Sequence, residues 1–225
     1  MKNRIRFAVT VLAALVCCAP LWAQRYEPTE SWPYLYEDFS PGNVLTARQG
    51  TIGYRQLNVC VSDGGLYYIK EGTIMKADMA GIHTVGIGDE VYLNVRGRLM
   101  RVMAETEHCA VVRDVEVNTD EMAKKSIGYV RSAVASTEYI QPLEKSLLEA
   151  EKNKFNGRVL PLREHFYLVV DGQLIPAGRS DVLKWSGSEK KATQAFLKEN
   201  KIKWSRPEDL ARLGEFLHGL HTPEQ

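Results

Sequence analysis

The sequence predicts an α+β fold: an antiparallel β meander closing as a small barrel or sandwich, then a β-hairpin and a C-terminal αα-hairpin. Three observations carry this. Between Gly42 and Val117, short runs rich in Val, Ile, Leu, Thr and Tyr alternate with turns such as Asp63-Gly64-Gly65, Glu71-Gly72 and Arg96-Gly97-Arg98. Further on, the runs Phe166 to Val170 and Gln173 to Pro176 flank Asp171-Gly172, a pair suited to the positive φ angles of a two-residue hairpin turn. Past Ser188 the apolar spacing becomes helical, and Leu210, Leu213, Leu217 and Leu220 fall on one stripe.

In chain order, residues 1–23 read as a cleavable secretory signal peptide. Lys2, Arg4 and Arg6 precede an apolar run from Phe7 to Cys18, and the small residue Ala23 stands at the cut. That run is shorter than the roughly 20 residues a spanning helix needs. Lipidation at Cys17 or Cys18 is the rival reading, and the bulky Val16 before Cys17 argues against it. Residues 24–41 form a leader in which Pro28, Pro33 and Pro41 exclude a helix. In an extended leader Trp32, Tyr34 and Tyr36 share one face. That face is expected to pack on the β domain; the rival expectation is that Trp32, Tyr34 and Tyr36, with Phe39, make a candidate interaction surface for a partner or ligand.

Within the antiparallel β domain, residues 42–117, strands are expected near 43–48, 51–61, 66–70, 73–77, 90–96, 98–105 and 109–117. Gly86-Ile87-Gly88-Asp89 reads as a turn. Residues 118–157 form a connector, with helical character at 121–125 and 142–154. Residues 158–225 hold the hairpin and the helical module. There Ser188 is placed to cap a helix running to about Asn200, and Ser205-Arg206-Pro207-Glu208 has the spacing of a capping box. Ile202 and Trp204 are placed to plug the joint between the two helices.

The 225-residue chain carries 29 basic and 28 acidic residues, a net charge of +1. Residues 1–23 contain three basic residues and no acidic one, so their removal leaves 26 against 28, a net charge of −2. Nucleic-acid binding is excluded on this ground, because a basic footprint is required for it, and export points the same way. No later stretch is apolar enough to span a bilayer, so membrane association would run through a partner.

Two segments carry a family resemblance. The opening Trp32-Pro33-Tyr34-Leu35-Tyr36-Glu37-Asp38-Phe39-Ser40-Pro41-Gly42 is one, and Lys198 to Trp204 with Glu208-Asp209-Leu210 is the other. They resemble small exported proteins of Bacteroidota-type Gram-negative bacteria. The resemblance spans most of the mature chain and implies a periplasmic or outer-membrane location. It names no catalytic residue.

Candidate chemistry is sparse. Cys60 and Cys109 outlast the signal peptide in a compartment where paired cysteines usually bond. A disulfide between them would contribute at most about 4 kcal/mol on the chain-entropy model; two unpaired structural thiols are the equal alternative. Cys60 shares strand parity with Asn58 and Ser62, which places it on the more polar face. His218 and His221 sit three apart beside Gly219 and Pro223 and read as a solvated helix end, without the HExxH arrangement of a metal site. There is no Gly-x-Ser-x-Gly elbow, and Gly86-Ile87-Gly88 lacks the third glycine of a dinucleotide loop. Glu37-Asp38 has no second carboxylate placed opposite it. No catalytic, cofactor-binding or metal-binding residue is assigned.

The expected function is an exported, non-enzymatic protein-interaction or envelope-accessory module whose partner is an envelope protein. The alternatives are a glycan-binding module using the leader rings with Tyr67 and Tyr68, and an enzyme with a non-standard site.

Overall fold

A computed structural model describes residues 26–126 and 146–221. The expected signal peptide and the middle of the connector lie outside the described residues. Ten strands pair into one antiparallel sheet: β1 Ser40–Thr46, β2 Gly50–Val59, β3 Leu66–Lys70, β4 Thr73–Lys76, β5 Ile82–Ile87, β6 Glu90–Val95, β7 Arg98–Glu105, β8 Cys109–Val117, β9 Leu162–Val170 and β10 Gln173–Pro176. Their order is β10-β9-β8-β7-β6-β5-β1-β2-β3-β4. With five helices beside the sheet among the described residues, α1 Thr119–Ser126, α2 Leu147–Asn153, α3 Arg179–Trp185, α4 Lys190–Glu199 and α5 Pro207–His221, the fold is α+β.

Three two-residue turns, Glu71-Gly72, Arg96-Gly97 and Asp171-Gly172, have positive φ at both positions. That geometry matches the right-handed twist of the strands they join. The chain departs from simple neighbour-to-neighbour order once. After β4 it returns across the sheet, and β5 pairs with β1, Val44 opposite Val85. The sequence hid β5 because its glycine resembles a turn. Gly86 lies inside the strand, and a side chain at its neighbour Gly42 would place Cβ 2.2 Å from the Gly86 carbonyl oxygen. The glycine at 42 serves a close approach of two backbones.

Two large cores lie along the sheet, with smaller apolar clusters beside them. Val44, Leu57, Val59, Leu66, Val85, Ile87, Tyr92 and Leu99 form the first. The sheet curls around it until the Leu99 N–H, on β7, donates to the Gly64 carbonyl 2.8 Å away, after β2. The second core joins Cys109, Val111, Leu168 and Val170 to Val182, Leu210, Leu213 and Leu217 of the helices. Thus the leucine stripe of α5 faces strands, and Leu220 sits half-buried at its end, while Ile202 and Trp204 pack on the same core. Helix α5 comes so near the sheet that a Cβ on Gly214 would lie 2.0 Å from Cys109 Sγ.

Neither expected serine cap forms. Ser188 falls in a 3-10 turn, Gly187–Glu189, ahead of α4. Thr193 instead donates to Ser186 Oγ at 2.8 Å, and Ser186 Oγ donates to the Val182 carbonyl, so buried hydroxyls bridge the two helices. In α5 the first turn is closed by Leu210 N–H donating to the Arg206 carbonyl, one residue beyond Ser205. Arg206 N–H donates to the Lys203 carbonyl, a turn that carries Ser205 out of line. The carboxylate reaching back is that of Asp209, whose Oδ2 accepts the Lys203 N–H at 3.1 Å.

Candidate functional site

The leader closes one face of the sheet. Trp32 and Tyr34 are 0% and 1% exposed, among Cys60, Tyr67, Ile74 and Ala150. Tyr34 meets Trp32, Phe39 and Tyr67 edge-on, with ring centroids 5.0–5.5 Å apart. The four rings of the candidate interaction surface do not share a face. Bends at residues 35–38 turn Tyr36 onto the other core, where its hydroxyl bonds Glu90 and Tyr92. Trp32 and Tyr34 are therefore out of reach of a partner, and Phe39 is half-buried against them.

Asn58 and Lys154 hold the leader down. Asn58 Nδ2 donates to the Tyr36 carbonyl at 2.9 Å, and its Oδ1 accepts the Tyr36 N–H at 3.1 Å. Lys154, 4% exposed, places Nζ 2.6 Å from Asp38 Oδ1 and 4.8 Å from the Trp32 ring centroid. A buried ammonium is costly unless paired, and here a carboxylate and a ring face both meet it. Asp38, whose side chain stays largely exposed, is the other half of this lock.

Cys60 and Cys109 are free thiols, each buried in a different core. Cys60 does not face a polar surface: the leader covers that side of the strand, and Trp32, Tyr34, Tyr67 and Ile74 surround the thiol with apolar groups. Burial, with Asp63 nearby, pushes the Cys60 thiol up to about 11. Burial, with Glu215 and Asp171 nearby, pushes Cys109 up to about 12. His218 is not a free helix end: its Nδ1 lies 2.7 Å from Asp171 Oδ1, and its ring stacks on His108 with centroids 4.0 Å apart. The β9–β10 turn supplies that carboxylate.

Adjacent strand residues separate the two tyrosines of the glycan reading. Tyr67 is 3% exposed, and its hydroxyl donates to Asp63 Oδ2 at 3.0 Å. Tyr68, pointing the other way, lines a cavity of about 420 Å³ above the first core. Val44, Leu66 and Ile82 form its floor. Tyr54 on β2 stands beside Tyr68 with centroids 5.6 Å apart and planes tilted by 58°. The β1–β2 turn brings Arg48 and Gln49 to the rim, and the β4–β5 loop brings Asp78.

Sequence reading missed Tyr54, Arg48 and Asp78. The available signal was the alternation of Ile52 and Tyr54 along β2, which runs into Leu57 and Val59 of the core. A bulge hides that continuity: Ser40 pairs with Leu57 but Gly42 with Tyr54, so β2 holds one extra residue. A second depression, about 730 Å³ and open, lies between α4 and α5 over Phe196 and Phe216.

The chain matches no protein-family model, no curated protein and no solved structure.

Proposed function

We infer that this chain is an exported, non-enzymatic binding module of the periplasm or outer membrane. In this reading β1–β3 and β5–β7 act as a small barrel with a ligand at its mouth, and the hairpin and helices form a supporting C-terminal module. The observation that carries it is the mouth cavity of about 420 Å³, apolar at the floor and polar at the rim. Such pockets commonly hold small ligands and recur at barrel mouths. The leader cannot serve the same purpose, since its largest rings are spent on packing.

Two observations support a binding role over catalysis. Both thiols are buried and shifted upward, away from the thiolate a nucleophile needs. The Glu90 carboxylate is tied to Arg101 at 2.7 Å and to Tyr92 at 2.8 Å, which is a structural use of a titratable group. The export assignment rests on residues 1–23. No helix among the described residues is long and apolar enough to cross a membrane.

A protein partner is the second reading, favoured by the apolar depression over Phe196 and Phe216. Isolation of the protein from its native envelope, followed by native mass spectrometry, separates the two. A bound small molecule that is lost when Ala77→Trp fills the mouth supports the ligand reading. A protein partner retained equally by wild type and Ala77→Trp, with no small molecule, refutes it.

A further inference from the structure

The geometry points to an uncharged sugar ring as the ligand of this mouth, stacked in the corner made by Tyr54 and Tyr68. This rests on the binding reading above and adds the chemical class. The tyrosines come first. Both are half-buried, and their planes are tilted by 58°, so they form a corner, not a parallel sandwich. A flat aromatic ligand is best held between parallel faces or in an edge contact. A puckered ring with C–H groups on one face and hydroxyls at its edge can lay the C–H face on one tyrosine and abut the other.

The polar groups point the same way. Among the described residues four other phenols are committed: Tyr26 to the Trp32 carbonyl, Tyr67 to Asp63, Tyr36 and Tyr92 to Glu90. Among the described residues the Tyr54 and Tyr68 hydroxyls make no hydrogen bond, and Arg48 has no ion pair. Asp78 spends Oδ1 on the Ala80 N–H at 2.9 Å and keeps Oδ2. The mouth therefore offers both donors and acceptors, which hydroxyl groups can satisfy in either sense.

Charge selects within that class. One arginine and one aspartate stand on the rim, so the mouth carries no net charge to attract an anion or a cation. Both are exposed, where each contributes little to affinity. A zwitterion such as a free amino acid would use the same two charges and is the competing ligand. The aromatic corner over an apolar floor, with its two free phenols, favours the sugar.

The test is calorimetric titration and saturation-transfer NMR of the purified protein. The probes are methyl β-glucoside, N-acetylglucosamine and cellobiose, beside glucuronate, glucosamine and free leucine. At least one neutral sugar is expected to bind. Tyr54→Ala and Tyr68→Ala should each weaken it at least tenfold with melting still cooperative, and Tyr68→Phe, which keeps the ring, should weaken it less. Three results overturn the proposal: no neutral sugar bound at millimolar concentration, leucine or a charged sugar bound in preference, or sugar affinity unchanged in the Tyr54→Ala/Tyr68→Ala double variant. If the sugars fail while a small molecule from the native envelope still depends on an open mouth, the ligand class falls and the binding reading stands. If both fail, the two fall together.

Discussion

Trp32→Ala tests the leader as a structural element. Trp32 has no exposed surface, so its removal forfeits the transfer free energy of an indole and leaves a cavity; for Trp in a core the sum is about 3–5 kcal/mol. Two local effects adjust this. The Tyr36 carbonyl, which accepts from Trp32 Nε1 at 3.2 Å, also accepts from Asn58 Nδ2, so no acceptor is orphaned. Lys154 loses its ring but keeps Asp38, a loss of about 0.5–2 kcal/mol for a cation over an aromatic face. A domain typically has about 5–15 kcal/mol in all, so the variant should unfold at markedly lower urea. The assay is urea denaturation at constant m, with Lys154→Met and the double variant completing a cycle. Coupling between Trp32 and Lys154 should be positive and of the cation–ring size. A loss below about 1 kcal/mol, or a zero coupling, refutes the claim that the leader is packed and locked.

Other outcomes follow from the same structure. Gly214→Ala should cost about 1–3 kcal/mol by overpacking against Cys109, whereas Gly219→Ala, with open space at its Cβ, should be neutral or stabilising in thermal melts. Leu213→Ala should cost about 2–5 kcal/mol as a fully buried stripe residue. Ser205→Ala should be nearly silent, because Asp209, not Ser205, ties the start of α5, and a loss near 1 kcal/mol on Ser205→Ala would restore the serine cap. Burial alone would raise the Asp63 pKa, but Lys76 at 2.7 Å, the Gly65 N–H and the Tyr67 hydroxyl outweigh it and hold it below the ordinary carboxylate value. A depressed pKa gives stability that is present above the unfolded value, near 4, and is lost as pH falls through the folded one. Asp63→Asn should therefore lower stability at neutral pH and flatten the acid limb of a pH titration; parallel acid limbs would exclude the ion pair.

Local chemistry determined much of this protein by sequence alone. Asp171-Gly172, Glu71-Gly72 and Arg96-Gly97 mark turns because a backbone with two positive φ angles tolerates few other pairs, and these preferences act within four residues. The leucine stripe of α5 was legible because helical period needs no knowledge of what covers it. The α+β class follows from such local signals. Tertiary structure decided the rest. Gly86 looked like a turn and is strand because β1 passes close enough to need Gly42 opposite its carbonyl. Parity put Asn58 and Cys60 together on the more polar side of their strand, because it reports which side a residue takes and never whether a distant leader covers that side. Ser205 looked like a cap until the 203–206 turn displaced it. The mouth cavity was beyond the sequence for the same reason: a bulge in β2 and the return of β5 bring Tyr54, Tyr68, Arg48 and Asp78 together, and both depend on pairings between residues far apart in the chain.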